Sequence, residues 1–236
     1  MKSIIACLVV FGGLAGASGA SAQNTAAAGA ASDVYHVHFA KAAPGQAAAL
    51  AKSLMVPDKT SPMPDHFVVL RHQEGDDWDF AVIQHLGAKA EVTVTAPPAS
   101  DAVRAQTAWH TDTFVSGPSW GEFSKQMAIG GSAAGAAPVY IVGVQRAVPG
   151  HREQLLKSLT APGASSKVQT GTVLLQHLEG SEWTFATITR YNSWQDLGTD
   201  RAAAVAAGDS AGGWADIRQH TAFHRDTIVD RIYPAK

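Results

Sequence analysis

Ten histidines stand in this 236-residue chain. They are its residues best suited to chemistry near neutral pH, since an imidazole can pass protons or bind a transition metal or haem iron. His36 and His38 sit two apart in a β-branched and aromatic run, so on a strand they leave the same face. Further on, a turn centred on Gly75-Asp76 would set His72 opposite Asp79 and His66 opposite His85, all on one face of a hairpin. If the first strand lies beside that hairpin, His36, His38, His66 and His85 converge. The counter-reading is that His36 and His38 populate a solvated strand face and that His66, after Pro64-Asp65, belongs to a loop.

His110 and His224 occupy matching places in TAWHTDT and TAFHRDT, each two residues before an aspartate, Asp112 or Asp226. Their spacing predicts the end of a helix, where such side chains satisfy backbone groups or face a ligand in a cleft. The candidate ligand-binding residues are therefore His36, His38, His66, His85, His110 and His224, and no catalytic residue is singled out. No HExxH, phosphate-cradling glycine loop or GxSxG elbow occurs. No firm metal set is defined, and a divalent metal, haem or no cofactor at all remain open.

Composition narrows the setting of these groups. Lys2, an apolar run from Ile4 to Leu14 and the small residues Ala20-Ser21-Ala22 form the pattern of a cleavable export signal over residues 1–22. That apolar run is shorter than the roughly 20 residues a membrane span needs. Cys7, the one cysteine, lies within it, so the mature chain has neither disulfide nor thiolate site. Without Lys2 there are 17 basic against 20 acidic residues. No basic stripe exists, which argues against a nucleic-acid partner. The expectation is a periplasmic or secreted protein, free of the membrane after cleavage and taking a small-molecule ligand.

The elements that must hold the histidines are legible through an internal repeat. Val34 to Phe80 matches Val139 to Phe185 at an offset of 105, and TAWHTDTFV matches TAFHRDTIV at an offset of 114. Paired identities include Pro44-Gly45 with Pro149-Gly150, and Trp78 with Trp183, the two tryptophans reading as hairpin core residues. His36, His38, His66 and His85 have no such twins: Ile141, Gly143, Gly171 and Arg190 stand in their places. The predicted organisation is a signal at 1–22, a disordered leader at 23–33, a first module at 34–127, an Ala/Gly linker at 128–138 and a second module at 139–236.

Within each copy the order reads strand, Pro-Gly turn, helix, hairpin, second helix, strand. Ala47, Leu50, Ala51 and Leu54 give the first helix an apolar stripe, and Ser193-Trp194-Gln195-Asp196 reads as a helix start. Val103, Thr107 and His110, like Ile217, Thr221 and His224, have helical spacing. The fold class is then α+β: two tandem ferredoxin-like βαββαβ modules whose sheets pack face to face as a pseudo-dimeric α/β barrel, with further oligomers open.

On VYHVHFAKAAPG, VYIVGVQRAVPG, the element order and the TAWHTDT and TAFHRDT segments, the chain resembles the dimeric α/β-barrel superfamily, which includes the antibiotic-biosynthesis monooxygenase and NIPSNAP-like families. That resemblance implies a cleft between sheet and helices that takes a small apolar or aromatic molecule. It also implies an oxygenase-type reaction, cofactor-free or haem-linked, with a histidine moving the proton. The competing expectations are a non-catalytic structural or stress-related module and a haem- or metal-binding protein using the first-module histidines.

Overall fold

The computed structural model describes residues 33–88, 100–130, 138–161, 166–208 and 213–234. The signal at 1–22 and the leader up to residue 32 lie outside them, as do linker residues 131–137. Asp33, assigned above to the leader, instead opens strand β1.

Among the described residues eight strands form: β1 Asp33–Ala42, β2 Phe67–Glu74, β3 Phe80–Ala88, β4 Thr107–Gly117, β5 Val139–Ala147, β6 Gln169–Glu179, β7 Phe185–Tyr191 and β8 Thr221–Tyr233. With them come six helices: α1 Ala47–Leu54, α2 Asp101–Gln106, α3 Trp120–Gln126, α4 Arg152–Thr160, α5 Trp194–Ala207 and α6 Trp214–Arg218. Three of them begin on a serine cap. Ser100, Ser119 and Ser193 accept the backbone N–H three residues on, which satisfies one of the free donors of a first turn. No helix among the described residues is long and apolar enough to cross a membrane.

All strand pairs are antiparallel, and the order β1-β3-β2-β8-β5-β7-β6-β4 closes on itself. The expected face-to-face packing of two sheets is therefore corrected to edge-to-edge closure. β2 hydrogen-bonds β8 and β4 hydrogen-bonds β6, which pairs edge groups that stacked sheets would leave open. Registers follow the sequence offsets. His36 faces Gln84 as Ile141 faces Thr189, Val37 faces Thr113 as Val142 faces Thr227, and Phe67 faces Gln84 as Thr172 faces Thr189.

Strand alternation sorts the side chains. Tyr35, Val37, Val68, Leu70, Ile83, Val115, Tyr140, Val142, Val173, Leu175, Ile188 and Val229 meet in the lumen as one buried cluster, with Trp78 and Trp183 among them. An eight-stranded barrel is just wide enough to be filled this way, and each such side chain contributes about 1.5–3 kcal/mol. The outer face is covered in patches. Leu50 of α1 packs with Ala40, Phe67, Val69 and Phe80, and Leu197 of α5 packs with Val139, Ile141 and Tyr191.

Two further expectations are corrected. Thr107, His110, Thr221 and His224 are strand residues, because α2 and α6 stop at Gln106 and Arg218. The threonines mark the switch: Thr107 Oγ1 donates to the Val103 carbonyl (2.8 Å) and Thr221 Oγ1 to that of Ile217 (2.9 Å), closing the helix ends. TAWHTDTFV is itself β-branched and aromatic, and only three residues of helical spacing had argued otherwise. The second is the element order expected of the first half, to which the structure adds, after β4, the helix α3. Its Phe123 and the Met127 that follows are fully buried in the lumen cluster, where they close one end of the barrel.

Candidate functional site

The outer face of β1 and β4 gathers the most chemistry. His38 pairs with Asp112 and His36 with Phe114 across these strands, and residues directly opposite share a face. Asp112 Oδ1 accepts from His36 Nε2 and from His38 Nδ1, both at 2.8 Å. His110 Nε2 lies 3.4 Å from the other carboxylate oxygen. The His38 and His110 rings are 5.2 Å apart, and Phe114 lies 5.1 Å from the His36 ring. His36 and His38 are half-buried, beside the apolar patch under α1 that reaches Val82, the partner of His38 on β3.

Burial acts to raise the Asp112 carboxyl, but the His36 and His38 hydrogen bonds prevail and hold it well below the usual carboxylate range. The ionised group only accepts, so both imidazoles donate to it. When neutral, His36 then carries its proton on Nε2 and His38 on Nδ1. The free lone pairs are His36 Nδ1 and His38 Nε2. An acid that orients a histidine through Nδ1–H and leaves Nε2 as a base is the arrangement general-base catalysis requires.

The four-histidine convergence expected from sequence does not form. His36 faces Gln84, not His85, because the register slips between Val34 and Tyr35. His36 and His38 point outward while His85 points inward at the end closed by α3. There a second group assembles. His85 Nε2 bonds Asp33 Oδ2 (2.9 Å), and His85 Nδ1 lies 3.2 Å from His66 Nδ1. Trp120 stacks on His66 with centroids 4.8 Å apart, and its backbone N–H donates to Asp33 Oδ2 (3.1 Å). Burial lowers the His85 pKa, against Asp33, which raises it.

Polar groups hold α3 at both ends. Tyr35 Oη donates to the Pro118 carbonyl (2.7 Å) before the helix, and Tyr140 Oη to the Met127 carbonyl (3.0 Å) after it. Arg190 and Arg231 donate to the Gln126 and Met127 carbonyls at 2.8 and 3.2 Å. Acid at the N-terminus and guanidinium at the C-terminus both suit the helix dipole. Arg190 and Gly171, the residues that replace His85 and His66 in the second half, are thus occupied with the far end of α3. The signal for this helix was present and missed: Ser119 and Glu122 have capping-box spacing.

His224 belongs to a separate outer-face group. It donates to Asp226 Oδ1 (2.8 Å), while Arg201 from α5 takes Oδ2 (2.9 Å). Burial would raise the Asp226 carboxyl, but His224 and Arg201 lower it. Gly143 stands where the first half has His38, and a Cβ there would lie 2.9 Å from Asp226 Oδ1 and 3.0 Å from Thr187 Oγ1, so a side chain would have to displace the Asp226 carboxylate. His72 and His177 pack near Trp78 and Trp183 on the lumen side. Among the described residues, no group of three or more His, Cys, Asp or Glu is arranged to hold a metal ion.

These features define a class: a closed antiparallel α/β barrel with one carboxylate–histidine site on the outer face of its first half. The comparisons agree on the fold. A solved anthrone oxidase-like protein superposes with a TM-score of 0.58 at 12% identity, over 86% of this chain and 92% of that one. A candidate monooxygenase from Fusobacterium nucleatum subsp. nucleatum gives 0.52 at 6% identity, over 85% and 93%. No protein-family model matches the sequence, and a search of curated proteins finds no match.

Proposed function

We propose that this protein binds and transforms a small apolar or aromatic molecule on the outer face of β1 and β4, with His38 as the base that Asp112 orients. The observation carrying this reading is the carboxylate shared by His36 and His38 at 2.8 Å, which leaves His38 Nε2 free to take a proton. Phe114 and the apolar margin at Val82 supply the wall for an aromatic ring. His36 and His110 complete the polar side.

The substrate class is a compound whose C–H is made acidic by conjugation to a carbonyl, as the doubly benzylic CH2 of anthrone is. Removing that proton gives a carbanion electron-rich enough to meet dioxygen directly. The balanced outcome for anthrone is one dioxygen consumed, anthraquinone formed and one water released. The same reading takes the chain as an exported, periplasmic protein whose signal is residues 1–22. It also takes each half as a ferredoxin-like module, the product of a tandem duplication in which the first half keeps the chemistry.

The test is oxygen uptake with anthrone by the purified mature chain. Wild type is expected to exceed the uncatalysed rate, and His38→Ala to lose about 10²–10⁴-fold, the range for a general base. Neither binding nor turnover of anthrone by wild type, with His38→Ala indistinguishable from it, sinks the enzymatic reading and leaves a non-catalytic module.

A further inference from the structure

We infer that the hairpin glycine of each half positions the acid of the other half: Gly180 sets Asp112, and Gly75 sets Asp226. The inference rests on the proposed role of Asp112 and identifies what holds that residue in place.

The seams between the halves are short. β4 pairs with β6 only at Phe114, Val115 and Ser116, so Asp112 and Thr113 lie just past the last paired residue. β2 pairs with β8 up to Glu74 and Ile228, leaving Asp226 and Thr227 likewise beyond it. At each of these places the opposing hairpin turn takes over. A Cβ built on Gly180 falls against the Asp112 carbonyl, far inside the 3.0 Å that real Cβ atoms keep, and 3.2 Å from Thr113 Cα. A Cβ on Gly75 falls 2.5 Å from the Asp226 carbonyl oxygen and 2.8 Å from Thr227 Cα. Both glycines have positive φ, +100° and +128°.

The closeness is not a general property of left-handed glycines, because Gly45, at φ +78°, has nothing within 4 Å of the same construction. These are backbone-to-backbone contacts, so no rotamer change relieves them. Either the turn or the strand must move. Neighbouring bonds fasten the turns: Ser181 N–H donates to His177 Nε2 (3.0 Å), Asp76 N–H to Thr227 Oγ1 (3.4 Å), and Arg225 pairs with Asp76. His36 and His38 stand on β1, and the Asp112 backbone lies between β1, where it pairs with His38, and the second half's turn at Gly180. Any displacement of β4 there changes the hydrogen bonds that fix the two imidazole tautomers.

The experiment follows the imidazole nitrogens of the full mature chain by ¹⁵N NMR and needs no substrate, so it stands apart from the anthrone assay. Gly180→Ala is expected to shift the His36 and His38 ring signals and erode their tautomer preference while His224 stays in place. Gly75→Ala is expected to do the reverse. Gly45→Ala, also at positive φ but with open space around the added carbon, is expected to move neither set. Unchanged His36 and His38 signals in Gly180→Ala, or equal movement of His224, overturn the inference. Should Gly180→Ala fail to fold, His177→Ala withdraws the acceptor that steadies the same turn. A selective His36 and His38 shift then supports the assignment, and silence overturns it.

Discussion

Replacing Asp33 by alanine removes the group that joins α3 to the barrel wall. Its carboxylate accepts from His85 Nε2 at 2.9 Å and from the Trp120 N–H at 3.1 Å, with only 13% of the Asp33 side chain and 5% of the His85 side chain exposed. A buried hydrogen bond to a charged group contributes about 1.5–3 kcal/mol, and a lost N-terminal cap costs about 0.5–2 kcal/mol. Asp33→Ala is thus expected to cost about 3 kcal/mol. At about 1–3 kcal/mol per molar urea, the denaturation midpoint should fall by roughly 1 M or more. Urea denaturation followed by tryptophan fluorescence measures it, because the indole of Trp120 lies in the affected group. The comparison is Asp101→Ala, whose side chain is almost fully exposed in a surface pair with Arg104 and should leave the midpoint in place. Equal midpoints for the two variants would show that Asp33 does not tie the helix down, and the account of the closed barrel end would fail.

Phe123→Ala removes a fully buried ring stacked between Tyr35 and Trp120. It should cost about 3–5 kcal/mol in the same denaturation assay, against less than about 0.5 kcal/mol for the exposed Val205→Ala. Gly198→Ala lies within α5 with nothing within 4 Å of the added carbon. It should stabilise by about 0.5–1 kcal/mol, read as a higher urea midpoint. Burial lowers the His85 pKa below that of the unfolded chain, so the native state takes up this proton less readily. The contribution is fully present above about pH 6.5, the ordinary histidine value, and is lost as pH falls from there through the folded pKa. Denaturation midpoints between pH 7.5 and 5 should therefore fall more steeply for wild type than for His85→Gln, and parallel slopes would exclude His85 as the source.

Matching segments at fixed offsets made the element order and the hairpin register legible, because strand partners translate with them. His66 does face His85, whose N–H donates to the His66 carbonyl. The site was legible only in part. Period two correctly put His36 and His38 on one face, but which face depends on the slip between Val34 and Tyr35, and no local residue announces it. Asp112 was read as a capping group because its neighbours could be spaced on a helix. Its contacts with His36 and His38 appear only when β4 lies beside β1. The seams are longer-range still, since edge pairing of β2 with β8 and β4 with β6 leaves no mark in either segment alone.

The differences between the halves sort into two physical causes. At the closed barrel end, α3 is a single helix lying across a nearly two-fold frame, so its two termini meet different needs. Its positive N-terminus meets Asp33 and the neutral His85, while its carbonyls meet Arg190 and Arg231. Symmetry must break there whatever the protein does, and the His66–His85 pair is accounted for by that packing. No such demand exists on the outer face at His38 and Gly143, where both halves place a His–Asp pair on the last strand. There the second half closes over its glycine and neutralises Asp226 with Arg201, while the first half keeps two imidazoles on Asp112 and leaves one lone pair on each. An asymmetry that the frame does not require, in groups able to move a proton, is what supports the proposed assignment of the base to His38 with Asp112 as its partner.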